Sequence, residues 1–159
     1  MSTMQKRIGV SRAVHLIDAE NLVGASLLSA NDVRRLCGAY LTAVPFGPFD
    51  QVILASSHAS VLALQMGWPG ARYKMKSGKD GADICLAEVV VEEHLEERFE
   101  HVYFGSGDGG LAPFAAHLES RGVHVTAVSR LRSLSPKMRL ATTNVVFIDR
   151  PDIAVLRCA

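Results

Sequence analysis

Short apolar runs alternate with helical periodicity along almost the whole chain. "AVHLID" (13–18) and "QVILASS" (51–57) are rich in β-branched and large apolar residues and predict strands. "ARYKMK" (71–76) predicts a weaker strand, and "HVYFGS" (101–106), "GVHVTAV" (122–128) and "NVVFID" (144–149) complete the series. Between them, "NDVRRLCGAYLTAV" opens on Asn31 as a helix cap and sets Val33, Leu36, Cys37, Tyr40 and Leu41 on one face. "HASVLALQM" predicts a short helix ended by Gly67 and Pro69. From Asp83 to Phe99 a stripe of Ile84, Ala87, Val91 and Leu95 recurs at helical spacing. Leu111, Phe114, Ala115 and Leu118 repeat it before the stop signal Arg121-Gly122.

Strands alternating with helices imply parallel pairing, because each crossover helix returns the chain to the same edge of the sheet. The expected fold class is therefore α/β: a doubly wound three-layer α/β/α sandwich with a parallel sheet ordered 3-2-1-4-5. In that order strands one and four are neighbours at the switch point, where ligands bind beyond the carboxyl ends. Strand one ends in "IDAEN" and strand four in "GSGDGG", so Asp18 and Asp108 face each other at the mouth of one crevice. A length of 159 residues suits a single domain, taken as 12–150, with short tails at 1–11 and 151–159.

Asp83, in "KSGKDGADICLAEVV", opens the crossover helix that feeds strand four, with Asp80 close by and Glu20 just after strand one. Singly, each acid has a structural explanation: Asp83 as a helix-dipole acid, Asp108 as an N-cap, Asp18 as a turn residue. Together they are costly. Three carboxylates about 5 Å apart at an effective dielectric near 20 repel by roughly 3 kcal/mol per pair, or about 10 kcal/mol in all, comparable to a domain's whole stability. Such a cluster needs protons, basic partners or a hard cation, and Mg²⁺ or Mn²⁺ suits oxygen ligands best. Zinc suits it poorly, since no His or Cys stands at ligand spacing near these acids.

Composition and charge adjust this picture. The balance of 48% hydrophobic and 21% charged residues is that of a soluble domain, and no apolar run approaches the ~20 residues that span a bilayer. No secretory h-region follows the start, and Cys37, Cys85 and Cys158 form no disulfide or redox spacing, so a reducing cytoplasm is the expected setting. The net charge of +1 hides an asymmetry. "ARYKMKSGK" and "SRLRSLSPKMR" carry only basic charges, while "EVVVEEHLEERFE" between them is strongly acidic. These are either ordinary solvated faces or two basic rims for a polyanion such as RNA.

Gly105, Gly107, Gly109 and Gly110 clear side chains from around Asp108, which would let a backbone or a phosphate approach. "GSGDGG" is no Walker loop, and as a dinucleotide fingerprint it follows the wrong strand and contains an acid that would repel pyrophosphate. Ser106 lacks the G-x-S-x-G elbow of a nucleophilic serine. His15 is expected to be packed or edge-facing, and His58 follows strand two at the crevice end. Trp68, beside Pro69 and Gly70, reads as a core corner or a base-stacking platform.

At these residues the chain resembles the NYN domain family, a branch of the PIN-like metal-dependent nucleases. "HLIDAENL" is similar to that family's D-x-x-N-L, matching Asp18 and Asn21. "KSGKDGADICLAEVV" resembles its lysine-then-acid helix opening, matching Asp83 and Lys79. "VYFGSGDGGLAPFAAHLESRGVHVTAV" resembles its S-G-D-x-D-F-x-P segment, matching Ser106 and Asp108, and "LSPKMRLATTNVVFID" its closing helix and strand. The resemblance runs from about residue 12 to 149. It departs at Gly110, where the family often has a second acid, and at "ATTN", where an alanine-acid pair is common.

The resemblance implies a PIN-like, Rossmannoid sandwich that binds Mg²⁺ or Mn²⁺ and hydrolyses RNA, with Asp18, Asp83 and Asp108 as metal ligands. Asn21, Ser106 and Glu20 would orient those ligands or the scissile phosphate, and Lys76, Lys79, Arg130 and Arg132 would hold the substrate backbone. A catalytically weakened RNA-binding or protein-interaction module is the alternative, favoured by Gly110. A phosphatase of the haloacid dehalogenase type is a third: Glu20 stands two residues after Asp18, but the following threonine and the later acid are missing. An exposed edge strand and the apolar "AVLRCA" tail are features a homodimer could use.

Overall fold

A computed structural model describes residues 12–148. Six parallel strands form one sheet: β1 (Ala13–Asp18), β2 (Gln51–Ser56), β3 (Arg72–Met75), β4 (His101–Gly105), β5 (His124–Arg130) and β6 (Asn144–Ile148). Their order is β3-β2-β1-β4-β5-β6, so the expected 3-2-1-4-5 arrangement is present and β6 extends it. Helices α1 (Ala19–Val23), α2 (Ala30–Ala43) and α3 (Val61–Gly67) cover one face. On the other lie α4 (Gly81–Glu92), α5 (Leu95–Arg98), α6 (Ala112–Ser120) and α7 (Pro136–Leu140). This is a three-layer α/β/α sandwich. No helix among the described residues is long and apolar enough to cross a membrane.

The central strand explains the layering. Every residue of β1 is buried, with Val14 and Leu16 facing the α4–α6 layer and Ala13 and Ile17 facing α2 and α3. Strands buried on both faces read as continuous apolar runs, which is why β1 and β4 are legible without alternation. β1 pairs with both β2 and β4, so the carboxyl ends of β1 and β4 emerge together at the switch point.

His15 interrupts that apolar run and is fully buried. Its Nδ1 accepts from the Tyr40 hydroxyl at 2.7 Å, and its Nε2–H donates to Asp50 Oδ2 at 2.9 Å. Burial holds the imidazole's pKa below its ordinary value, with Asp50 opposing, so the neutral ring is the one that bridges. It stacks on Tyr103 at 4.5 Å between ring centroids and on Phe46 at 4.8 Å. Asp50 also accepts from the backbone of Ala13 and Gly47, tying the 45–50 loop to the start of β1. Trp68 is buried against Tyr40, a core residue and not a stacking platform.

Several local expectations shift. The cap of α2 is Ser29, in a reciprocal capping box with Asp32, and not Asn31. Cys37 is half-buried and Leu41 exposed, so the buried face of α2 is Val33, Leu36 and Tyr40. In α4 the core face is Cys85, Leu86, Val89 and Val90, while Ile84 and Val91 of the expected stripe face outwards. "ADICLAEVVV" is apolar nearly all round, so periodicity could not choose a side. A break at Glu93–His94, with His94 in the left-handed region, then places Leu95 on the separate helix α5. Strand β5 begins two residues later than 122, after the turn at Gly122. Asp149, Cys158 and both tails lie outside the described residues.

The acidic helix and the first basic stretch neutralise each other. Glu93 receives two bonds from Arg72 at 2.8 and 2.7 Å and one from Arg98, which hold its carboxyl down at about 2. Glu88 pairs with Lys76 at 3.2 Å. Two of the cations expected to form a basic rim are therefore engaged, Lys76 by Glu88 of α4 and Arg72 by Glu93 just after it.

Candidate metal centre

Asp18 ends β1 and caps α1, its Oδ1 accepting from Asn21 N at 3.0 Å. The carboxyl is only 8% exposed, and burial raises its pKa to about 6 against that backbone bond, with Glu20 and Asp108 adding to the rise. Asn21 joins the two central strand ends: its Oδ1 accepts from Gly107 N at 3.2 Å and its carbonyl from Arg130 Nε at 3.0 Å. Ser106, fully buried at the end of β4, accepts from Asp108 N at 3.2 Å. Asp108 in turn caps the 3-10 turn at 109–111, its Oδ1 accepting from Gly110 N at 2.8 Å.

Asp83 lies in the first turn of α4 and is 7% exposed. Its Oδ1 is buried without a hydrogen-bond partner. Asp80 precedes the helix in the left-handed region (φ 58°), a conformation that aspartate tolerates better than most residues. One carboxylate oxygen each from Asp80, Asp83 and Asp108 lies within 4.8 Å of the others. Burial, then the charges of Asp108, Asp18 and Asp80 together with a bond to Asp108, push Asp83 up to about 8. The crevice thus gathers Asp83 and Asp108, adds Asp80 to them, and keeps Asp18 alongside.

The remaining candidates divide by position. Glu20 turns away from the cluster and accepts from Ser57 N at 2.7 Å, Ser57 Oγ at 2.9 Å and Ser60 Oγ at 3.1 Å, fastening α1 to the loop after β2. Lys76 is held by Glu88, whereas Lys79 and Arg132 are exposed. Arg130 packs its guanidinium over Gly24, where a Cβ would stand 2.7 Å from Nη1. His58 bonds Ser77 Oγ through Nδ1 at 2.7 Å, and both residues are exposed.

The glycines mostly serve the protein's own packing. A Cβ on Gly107 would stand 2.1 Å from the Ser133 carbonyl, so the loop after β5 crosses directly over the end of β4. Gly110 differs. A Cβ there would meet only Asp108 Oδ1 at 3.3 Å and Asp83 Oδ2 at 3.6 Å, so a side chain at this position would point into the carboxylates.

Asp80, in sequence only a neighbour of Asp83, joins the tight group with Asp83 and Asp108, whereas Asp18 lies outside it. The signal was available: a Gly-Lys-Asp-Gly turn just before a helix start favours a left-handed aspartate.

No protein-family model matches the chain, and a search of the curated proteins finds no relative. Among solved structures, the chain is similar to the crystal structure of a protein of unknown function from Vibrio parahaemolyticus RIMD 2210633. The identity is 15%, the TM-score 0.62, and the match covers 89% of this chain and 94% of that one. The likeness is one of fold.

Proposed function

We propose that the chain is a divalent-metal-dependent ribonuclease, acting in the reducing cytoplasm to which its free Cys37 and Cys85 are suited. The observation that carries the reading is Asp83: a buried carboxyl with an unpartnered oxygen, set against two further carboxylates. A buried polar atom left without a partner costs about 1–3 kcal/mol, and a bound cation would relieve both that cost and the repulsion among the carboxylates. The donors are all hard oxygens, which fits Mg²⁺ or Mn²⁺ held by Asp80, Asp83 and Asp108, with Asp18 reached directly or through water. An ion there would supply polarisation of a phosphodiester and a water of lowered pKa.

The chain's own residues divide the remaining work. Asn21 and Ser106 fix the ends of β1 and β4, which sets the spacing between Asp18 and Asp108. Asp18, buried at the end of β1, would add an anionic acceptor for a water held by the ion. Lys79 and Arg132 are exposed cations able to contact the substrate backbone. Incubation of labelled RNA with Mn²⁺ tests the reading: cleavage by the wild type, lost in a folded Asp108→Asn variant, is expected. Intact RNA with every divalent ion tried would refute it.

Gly110 favours a second reading, an RNA-binding or protein-interaction module of the same architecture, because an acid there would complete the ring of carboxylates. Salt-sensitive RNA binding without cleavage would mark that outcome.

A further inference from the structure

The carboxylate cluster opens sideways into a cleft of about 470 Å³ that runs along the outer face of α4 towards α6. Its wall on α4 is Ile84, Ala87 and Val91, and Phe114 supplies an aromatic ring. Ile84 and Val91 are 41% and 57% exposed, although the opposite side of the same helix is core. The polar groups further along are Glu88 and Glu92, one and two turns beyond Asp83 or Ile84. Among the described residues, every charged residue lining the cleft is an acid.

That combination discriminates between the parts of a nucleic acid. A phosphate backbone is repelled by the acidic rim, whereas a flat ring gains from the apolar wall and Phe114. Carboxylates accept hydrogen bonds, so they select a ring whose edge donates. Guanine alone among the RNA bases presents two adjacent donors, N1–H and the N2 amino group, on its Watson–Crick edge. The ion pair of Glu88 with Lys76 is exposed on both sides and therefore cheap to exchange for such a partner.

The geometry points to this cleft as the seat of an unstacked nucleobase, guanine preferred, from the nucleotide next to the phosphate held at the cluster. The inference rests on the ribonuclease reading and makes single-stranded RNA the substrate class, because a paired base cannot enter the slot. The volume lies within the range of small-molecule sites, about 300–1,000 Å³.

Fluorescence anisotropy tests it, with a labelled uridine octamer carrying one central guanosine against an all-uridine octamer, both in Ca²⁺. Tighter binding of the guanosine RNA by the wild type is expected. An Ile84→Gln, Val91→Gln double variant, altered only at exposed positions, should weaken that binding about tenfold. Phe114→Leu, which removes the ring and keeps an apolar side chain, should weaken it in the same direction. Glu88→Gln with Glu92→Gln should erase the guanosine preference. Mn²⁺ affinity, read by electron paramagnetic resonance, should be unchanged in the Ile84/Val91 variant. Equal binding of both RNAs by wild type and variants, with Mn²⁺ still bound, would overturn the base site and leave the metal centre standing. Absence of Mn²⁺ binding by the wild type would overturn both. Tighter binding of a lysine-leucine peptide than of either RNA, lost in the same variants, would overturn the base site in favour of protein docking.

Discussion

Replacing Asp83 by Asn should stabilise the metal-free protein, an outcome opposite to that of most changes at a buried polar residue. Carboxylates at the observed limit of 4.8 Å repel by about 3.5 kcal/mol per pair at an effective dielectric of 20. The exposed Asp80 is partly screened by solvent, so its share is smaller. Proton uptake caps the cost. The folded carboxyl is raised from 3.8 to about 8, so the unfolded chain releases this proton first as the pH rises. Stability from this group is therefore complete below 3.8 and is lost as the pH climbs through 8. At pH 7 the group stays protonated in the fold and ionised in the unfolded chain, a cost on the order of a few kcal/mol. Asparagine keeps the shape without the charge. Its gain should be on the order of a few kcal/mol, larger at pH 7.5 than at pH 6, and under about 1 kcal/mol at pH 4. Urea titrations of EDTA-treated wild type and variant across this range measure the difference. An Asn variant less stable than wild type at pH 7.5, or a difference independent of pH, would refute the electrostatic reasoning.

Three further outcomes follow from other parts of the molecule. Gly110→Asp would point a fourth carboxylate at Asp83 and Asp108; metal-free stability should fall by roughly 1–3 kcal/mol and Mn²⁺ affinity should rise, checked by urea melts and calorimetric titration. His15→Phe should cost about 2–4 kcal/mol by leaving Tyr40 and Asp50 without their shared partner. Because the folded imidazole titrates below 6.5, wild-type stability should rise with pH up to about that value, and the variant should lack this component in urea melts. Glu93→Gln should cost no more than about 1 kcal/mol near neutrality, since its arginine partners are largely exposed. That contribution is present above 4.5 and disappears as the pH falls to about 2, so thermal melts should converge in acid.

The fold was legible because strands buried on both faces leave unbroken apolar runs, and β1 and β4 carry the clearest of them. Their neighbouring ends set Asp18 and Asp108 at one crevice, which the strand order alone implies. The orientation of α4 was not legible. A helix apolar on both sides is sided by the sheet it packs on, and that choice exposed Ile84 and Val91 and so made the cleft. The partners of Glu20 were hidden for a related reason: Ser57 and Ser60 lie some forty residues away and leave no local trace. The glycines around Asp108 are there mainly for the Ser133 and Ser135 loop, a contact between segments that no spacing rule reveals.

The central claim is that Asp80, Asp83 and Asp108 share a divalent cation. Anomalous diffraction from crystals grown with Mn²⁺ tests it most directly. The expected result is one strong manganese peak bonded to oxygens of Asp83 and Asp108, with Asp80 or Asp18 completing the protein ligands. A map without that peak, in which Asp83 and Asp108 share a proton at hydrogen-bond distance while the metal is abundant, would contradict it.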